Sequence, residues 1–256
     1  MNVLLSLTAA IGIVFSAAAS AAPTAVHPPV KNIVLVHGAF ADGSSWAKVI
    51  PILQAKGYNV VAVQNPLTSL ADDVAATHRA LALQNGPVIL VGHSWGGAVI
   101  TEAGTDPKVA ALVYVAAFGL DAGESVGEVG KGYPPQPSFK DPIVDKQGFM
   151  TLNTDAFVKH FASDLPAVEA KVLAAAQGPT STSVFGSKIS TPAWKTKPSW
   201  YIVGKKDEAI APDEERFFAK RMKAATTELD TSHVPMLSKP NEVAAVIMEA
   251  AAKAAH

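Results

Sequence analysis

The stretch Val88-Ile89-Leu90-Val91-Gly92-His93-Ser94-Trp95-Gly96-Gly97 constrains this chain more than any other. It opens on four apolar residues, three of them β-branched, which read as a buried strand. A Gly-x-Ser-x-Gly turn follows, and Ala98-Val99-Ile100-Thr101-Glu102-Ala103 continues as a helix. The reason for this composition is steric. A chain that turns directly from strand into helix holds its serine at strained backbone angles, and Gly92 and Gly96 let neighbouring chain pass close by. The Ser94 hydroxyl is then lifted above the strand ends, at a helix N-terminus whose dipole and free N–H groups favour developing negative charge. An ordinary glycine-rich turn fits the same three positions, so the remainder of the chain decides between the two readings.

That remainder alternates. Asn32 to Val36 reads as a strand, and Ser44 or Ser45 caps a helix carrying Trp46, Val49, Ile50 and Leu53. Tyr58 to Val63 is a second strand, Ala71 to Leu83 a helix and Val109 to Val115 a strand. Late in the chain come a strand over Ser199 to Val203, a helix over Asp213 to Met222, a strand over Thr226 to Leu229 and a last helix capped by Asn241. Strands alternating with helices of this length predict an α/β fold, with a mostly parallel, doubly wound sheet. Between Gly119 and about Lys197 the rhythm fails. Glycines and prolines cluster there, notably Pro134-Pro135-Gln136-Pro137, with helical patches at Thr154 to Phe161 and Leu165 to Ala176. This insert reads as a helical cap over the carboxyl ends of the strands. A second small domain is the alternative, and the weak apolar periodicity argues against a core of its own.

With 256 residues, 49% of them hydrophobic, the chain can hold one large domain. Its net charge of -1 makes no case for nucleic acid, and the absence of cysteine excludes disulfides and thiolate chemistry. Residues 1–21 read as a secretory signal peptide: Val3 to Ser20 is nearly all apolar or small, and Ala19-Ser20-Ala21 is a small-x-small cleavage pattern. The n-region lacks Lys and Arg, which keeps an uncleaved anchor as the alternative. Residues 22–30 form an extended lead-in and 31–256 the α/β domain. The expectation is an exported protein, periplasmic or secreted, without stable membrane association after cleavage.

A serine hydroxyl is a poor nucleophile until a base takes its proton, and the base needs an orienting group. In an open parallel sheet such groups sit on loops at the strands' carboxyl ends. Three such loops carry Ser94, Asp207 and His233, in the order Ser, Asp, His. His233 is the histidine that lies between the last strand and the last helix. His37 and His93 fall in the glycine-rich loops, His37 reading as structural; His78 and His160 lie on helices, His27 and His256 near the termini. Glu208, next to Asp207, and Asp121, which follows the strand ending at Val115, are the alternative acids. The oxyanion hole needs two converging N–H donors. Trp95 supplies one, and Ala39, with Phe40 as alternative, the other. Such acyl transfer calls for no metal and no cofactor. A histidine base works only when neutral, so the rate is expected to fall below about pH 6 to 7, and a flat profile down to about pH 4 would contradict it.

The blocks His37-Gly38-Ala39-Phe40, Gly92 to Gly97, Tyr114-Val115-Ala116-Ala117-Phe118, Tyr201 to Asp207 and Ser232-His233-Val234-Pro235-Met236 together resemble the α/β-hydrolase branch of plant methyl esterases, hydroxynitrile lyases and small bacterial esterases. The similarity runs from about Lys31 to the C-terminus and is weakest through the insert. It implies a serine hydrolase whose partner is a small-molecule ester. Similar lyases carry threonine at the position of Gly38 and lysine at that of Val234, so the resemblance favours cleavage of small or medium carboxylic esters. Lactone hydrolysis, other chemistry of this superfamily and a non-catalytic ligand-binding role are the alternatives. Trp95 departs from the smaller residue common in the methyl esterases and is expected to shape the acyl pocket.

Overall fold

The computed structural model describes Met1 and residues 30–254; the rest of the stretch read as a signal peptide and most of the lead-in lie outside the described residues. A six-stranded parallel sheet forms the centre. Its strands are β1 (Asn32–Val36), β2 (Asn59–Ala62), β3 (Val88–Ser94), β4 (Val109–Ala117), β8 (Ser199–Gly204) and β9 (Ala225–Leu229), in the spatial order β2-β1-β3-β4-β8-β9. Every pairing in it is parallel. β1 and β3 are buried along their whole length, which is why they read as continuous apolar runs and not as alternation.

Helices α1 (Ile50–Ala55), α2 (Leu70–Ala82) and α3 (Trp95–Ala103) connect the first four strands. α2 and α3 pack on each other and against β1, and α3 also lies on β3 and β4. Ser69 caps α2 by accepting from the Asp72 N–H at 3.1 Å. Two expected caps are corrected. Asp42, not Ser44 or Ser45, caps the turn Gly43–Trp46 through its carboxylate, which accepts from the Ser44 N–H at 2.6 Å. Asn241 lies inside the last helix, which begins at Pro240. Proline starts a helix without a capping side chain because its missing N–H is one the first turn leaves unbonded anyway.

The segment between β4 and β8 is not purely helical. Besides short turns and the helix α4 (Ala167–Ala176), it holds a small antiparallel sheet of β5 (Ile143–Val144), β6 (Phe149–Thr151) and β7 (Thr180–Ser181). These strands are two or three residues long, too short for a period of two to show in the sequence. After β8 come α5 (Pro212–Met222), β9 and α6 (Pro240–Lys253). α6 packs on β3, β4 and β8 and also touches α1.

Candidate active site

The strand-to-helix turn is built as its glycines require. Ser94 has φ 52° and ψ -122°, outside the regions that ordinary residues favour. A Cβ on Gly92 would lie 2.5 Å from the Gly96 carbonyl oxygen, and one on Gly96 would lie 2.5 Å from that of Val36. Both are closer than real Cβ atoms come, so the bend closes only with glycine at both places. The neighbouring strand adapts as well. His93 pairs with Val115 but Ser94 pairs with Ala117, which leaves Ala116 as an extra residue at φ 43°.

Ser94, Asp207 and His233 meet in one hydrogen-bonded chain. His233 Nε2 lies 2.8 Å from Ser94 Oγ, and His233 Nδ1 lies 2.5 Å from Asp207 Oδ2. The exposures are 7% for Ser94, 3% for Asp207 and 1% for His233. Because a carboxylate only accepts, Nδ1 carries the imidazole proton and Nε2 is left with a lone pair facing the serine. The other carboxylate oxygen, Asp207 Oδ1, accepts from the Ala209 and Ile210 N–H groups at 2.7 and 2.9 Å. The acid is thus held from behind by its own loop.

Asp121 is elsewhere. Its Oδ1 pairs with Lys195 Nζ at 2.5 Å, its side chain is 28% exposed, and it does not contact His233. The two candidate donors from the first loop also separate. The Phe40 N–H donates to Thr180 Oγ1 at 3.1 Å, at the edge of the small sheet. The Ala39 N–H has no acceptor among the described residues, and the Trp95 N–H, at the first position of α3, has none within its helix.

Three supports of His233 are not legible in the sequence. His93 Nε2 lies 2.8 Å from the His233 carbonyl oxygen, so it donates to it, and the two rings stand 4.8 Å apart. Burial and the nearby His233 hold His93 well below the ordinary histidine range, which keeps it neutral. Phe161, from a π-turn in the insert, sets its ring edge-on to His233 at 4.7 Å. Asp164 accepts from both the Ser232 N–H, at 3.0 Å, and the Ser232 hydroxyl. His37, read as structural, is so here: Asn65 N–H donates to its Nε2 at 2.9 Å, and its Nδ1 lies 2.8 Å from the Gly38 carbonyl oxygen.

The expectation for Trp95 is overturned. Its indole is 1% exposed and turns into the core, where Nε1 donates to Asp73 Oδ2 at 2.7 Å. Asp73, on α2, is itself fully buried and also accepts from the Leu67 N–H at 2.8 Å. Trp95 therefore joins α3 to α2 and does not shape a substrate pocket. Trp95→Phe is expected to remove one donor from a buried carboxyl and cost about 1–3 kcal/mol of stability. Thermal denaturation reads that loss, while relative rates on esters of different acyl length stay as in the wild type.

A cavity of about 240 Å³ adjoins the site, lined among others by Phe118, Tyr133, Phe139, Met150, Phe185 and Glu214. Two of its lining residues tie it to the reacting groups. The Phe118 N–H donates to the Ser94 carbonyl at 3.2 Å, and Ala209 is one of the two donors to Asp207. Phe139 and Met150 thus line space, whereas Phe157 and Phe161 border a cavity of only about 30 Å³ beside His93 and Val234.

A parallel sheet with a strained serine at the end of a central strand, facing a buried histidine on the last loop, defines the α/β-hydrolase class of protein. Residues 33–246 match the model of the alpha/beta hydrolase family, and the chain belongs to that family. Methylesterase 7 of Arabidopsis thaliana is 29% identical over 253 residues, covering 87% of this chain and 97% of its own. A pyrethroid hydrolase of Sphingobium wenxiniae is 28% identical over 246 residues, covering 86% and 87%. A solved pyrethroid hydrolase superposes with a TM-score of 0.76 at 26% identity, over 88% of this chain and 98% of that one. With relatives that are hydrolases and esterases, this chain is a hydrolase of the same fold.

Proposed function

We propose that the protein is a serine esterase that cleaves small or medium carboxylic esters through an acyl-enzyme. The observation that carries this reading is the unbroken chain from Ser94 Oγ through His233 to Asp207, closed at 2.8 and 2.5 Å. Ser94 Oγ attacks the ester carbonyl as its proton passes to His233 Nε2. The imidazolium that forms is stabilised by Asp207 Oδ2 through Nδ1–H. The carbonyl oxygen, now an oxyanion, accepts from the Ala39 and Trp95 N–H groups, each such donor contributing about 3–4 kcal/mol to the barrier reduction. His233 returns the proton to the departing alcohol, and the acyl group stays on Ser94. Water then enters, gives a proton to His233 and releases the acid by the same steps in reverse order.

Two features support ester cleavage over the lyase chemistry of similar proteins. A Cβ on Gly38 would lie 2.7 Å from Ser94 Cβ, so the threonine that those lyases carry has no room here. Val234 follows His233 as a buried apolar residue and provides no cation for an anionic leaving group. Hydrolysis of 4-nitrophenyl acetate by the wild type, compared with Ser94→Ala, tests the reading. Turnover by the variant within about tenfold of the wild type overturns it.

A further inference from the structure

One buried carboxyl has no part in the chemistry above. Glu214 stands in the first turn of α5, is 3% exposed, and its Oε1 has no hydrogen-bond partner among the described residues. A buried polar atom left unpaired costs about 1–3 kcal/mol, and of the buried side-chain atoms without a partner among the described residues, this one alone belongs to a residue that lines the cavity of about 240 Å³. Glu214 lines that cavity together with Phe118 and Ala209, the residues hydrogen-bonded to Ser94 and Asp207. The other lining residues include Phe118, Tyr133, Phe139 and Phe185, and none of them is Lys or Arg.

The titratable groups around Glu214 are mostly acids. Asp207 faces it from the loop after β8, and Glu215 and Asp213 flank it on α5. Glu215 is fully buried, and burial together with Asp207 pushes its carboxyl well above the usual range. Tyr133 approaches from the insert. Of the arginines on the same helix, Arg221 is occupied by Glu124 at 2.7 and 2.8 Å and by the Gly119 carbonyl, and Arg216 by Asp213 and Glu228. A carboxyl without a counter-charge, in a cavity walled by aromatic rings, is complementary to an alkylammonium group. The cation pairs with the carboxylate, and its methyl and methylene groups rest on the ring faces.

We infer that this cavity is a subsite for an ester carrying a cationic alkylamine arm, with Glu214 as the residue that selects it. The inference rests on the esterase reading for its link to turnover. Burial, and then Asp207, push the Glu214 carboxyl up to about 7. A bound ammonium holds it ionised, so the preference for the cation grows as pH rises through about 7 while the amine stays protonated.

Two isosteric pairs, each differing only in CH against NH⁺, test the subsite on both sides of the ester. One pair is S-2-(dimethylamino)ethyl thioacetate and S-3-methylbutyl thioacetate. Released thiol is read with a disulfide dye, which meets no cysteine in the chain. The other pair is methyl 4-(dimethylamino)butanoate and methyl 5-methylhexanoate. The wild type is expected to favour the cationic member of at least one pair by about tenfold in kcat/KM at about pH 7.5, and Glu214→Gln to bring that ratio to about one. Equal rates within both pairs, or a ratio that survives in Glu214→Gln, overturn the subsite. If no ester is turned over, the esterase reading fails, and calorimetry with N,N-dimethylbutylamine decides the subsite alone. Binding about tenfold weaker to Glu214→Gln supports it, and equal or absent binding overturns it.

Discussion

Ser94→Ala is expected to lower kcat on 4-nitrophenyl acetate by about a million-fold, the size of loss that follows when the nucleophile of a serine hydrolase is removed. The substitution deletes the one atom that forms the acyl bond and leaves the rest of the site standing. Residual catalysis of about a thousand-fold over water remains expected, because the Ala39 and Trp95 N–H groups still face the carbonyl oxygen. The substituted residue has to occupy φ 52°, which is no easier for alanine than for serine, so thermal stability should change little. A steady-state assay sets the rate, and mass spectrometry after treatment with an organophosphonate shows one adduct on the wild type and none on the variant. Labelling of the variant at another residue would relocate the nucleophile.

Asp207→Asn is the second large effect, expected at about ten-thousand-fold in kcat. The direction follows from the loop behind the side chain. Oδ1 accepts from two N–H groups, Ala209 and Ile210. An asparagine keeps those bonds only by placing its carbonyl oxygen there, which turns its NH₂ group toward His233 Nδ1. A donor facing Nδ1 forces the imidazole proton onto Nε2. The nitrogen that faces Ser94 at 2.8 Å then has no lone pair to receive the serine proton. The loss should appear in kcat with the fold intact, and a proton NMR signal for the ring N–H should move from one nitrogen to the other. A variant within about tenfold of the wild type would show that Asp207 does not set the tautomer.

Much of this is legible without coordinates, and the residues show why. Val88 to Gly97 carries its own geometry, since a strand, a bend that tolerates no Cβ at 92 or 96, and a helix all lie within a few residues. The alternation of strands and helices is equally local, and it places Ser94, Asp207 and His233 at strand ends on one edge of a parallel sheet. Where the sequence misleads, packing is the reason. Trp95 occupies the position next to Ser94, but whether an indole faces a pocket or the core depends on what α2 presents, and α2 presents Asp73. The choice of Ala39 over Phe40 rests on Thr180, 140 residues downstream of Phe40. The insert hides its three short strands because each is formed by its partners and not by its own period.

The sequence by itself determined the class of fold, the elbow and the order of the groups on their loops, because these follow from backbone sterics and short-range hydrophobic pattern. Only the tertiary structure decided which way side chains point from those loops. His93 fixing the His233 carbonyl, Asp164 bonding Ser232 and Glu214 left unpaired beside aromatic rings are all relations between segments far apart in the chain. They are set by how the sheet, α5 and the insert close on one another, and no window of residues contains that information.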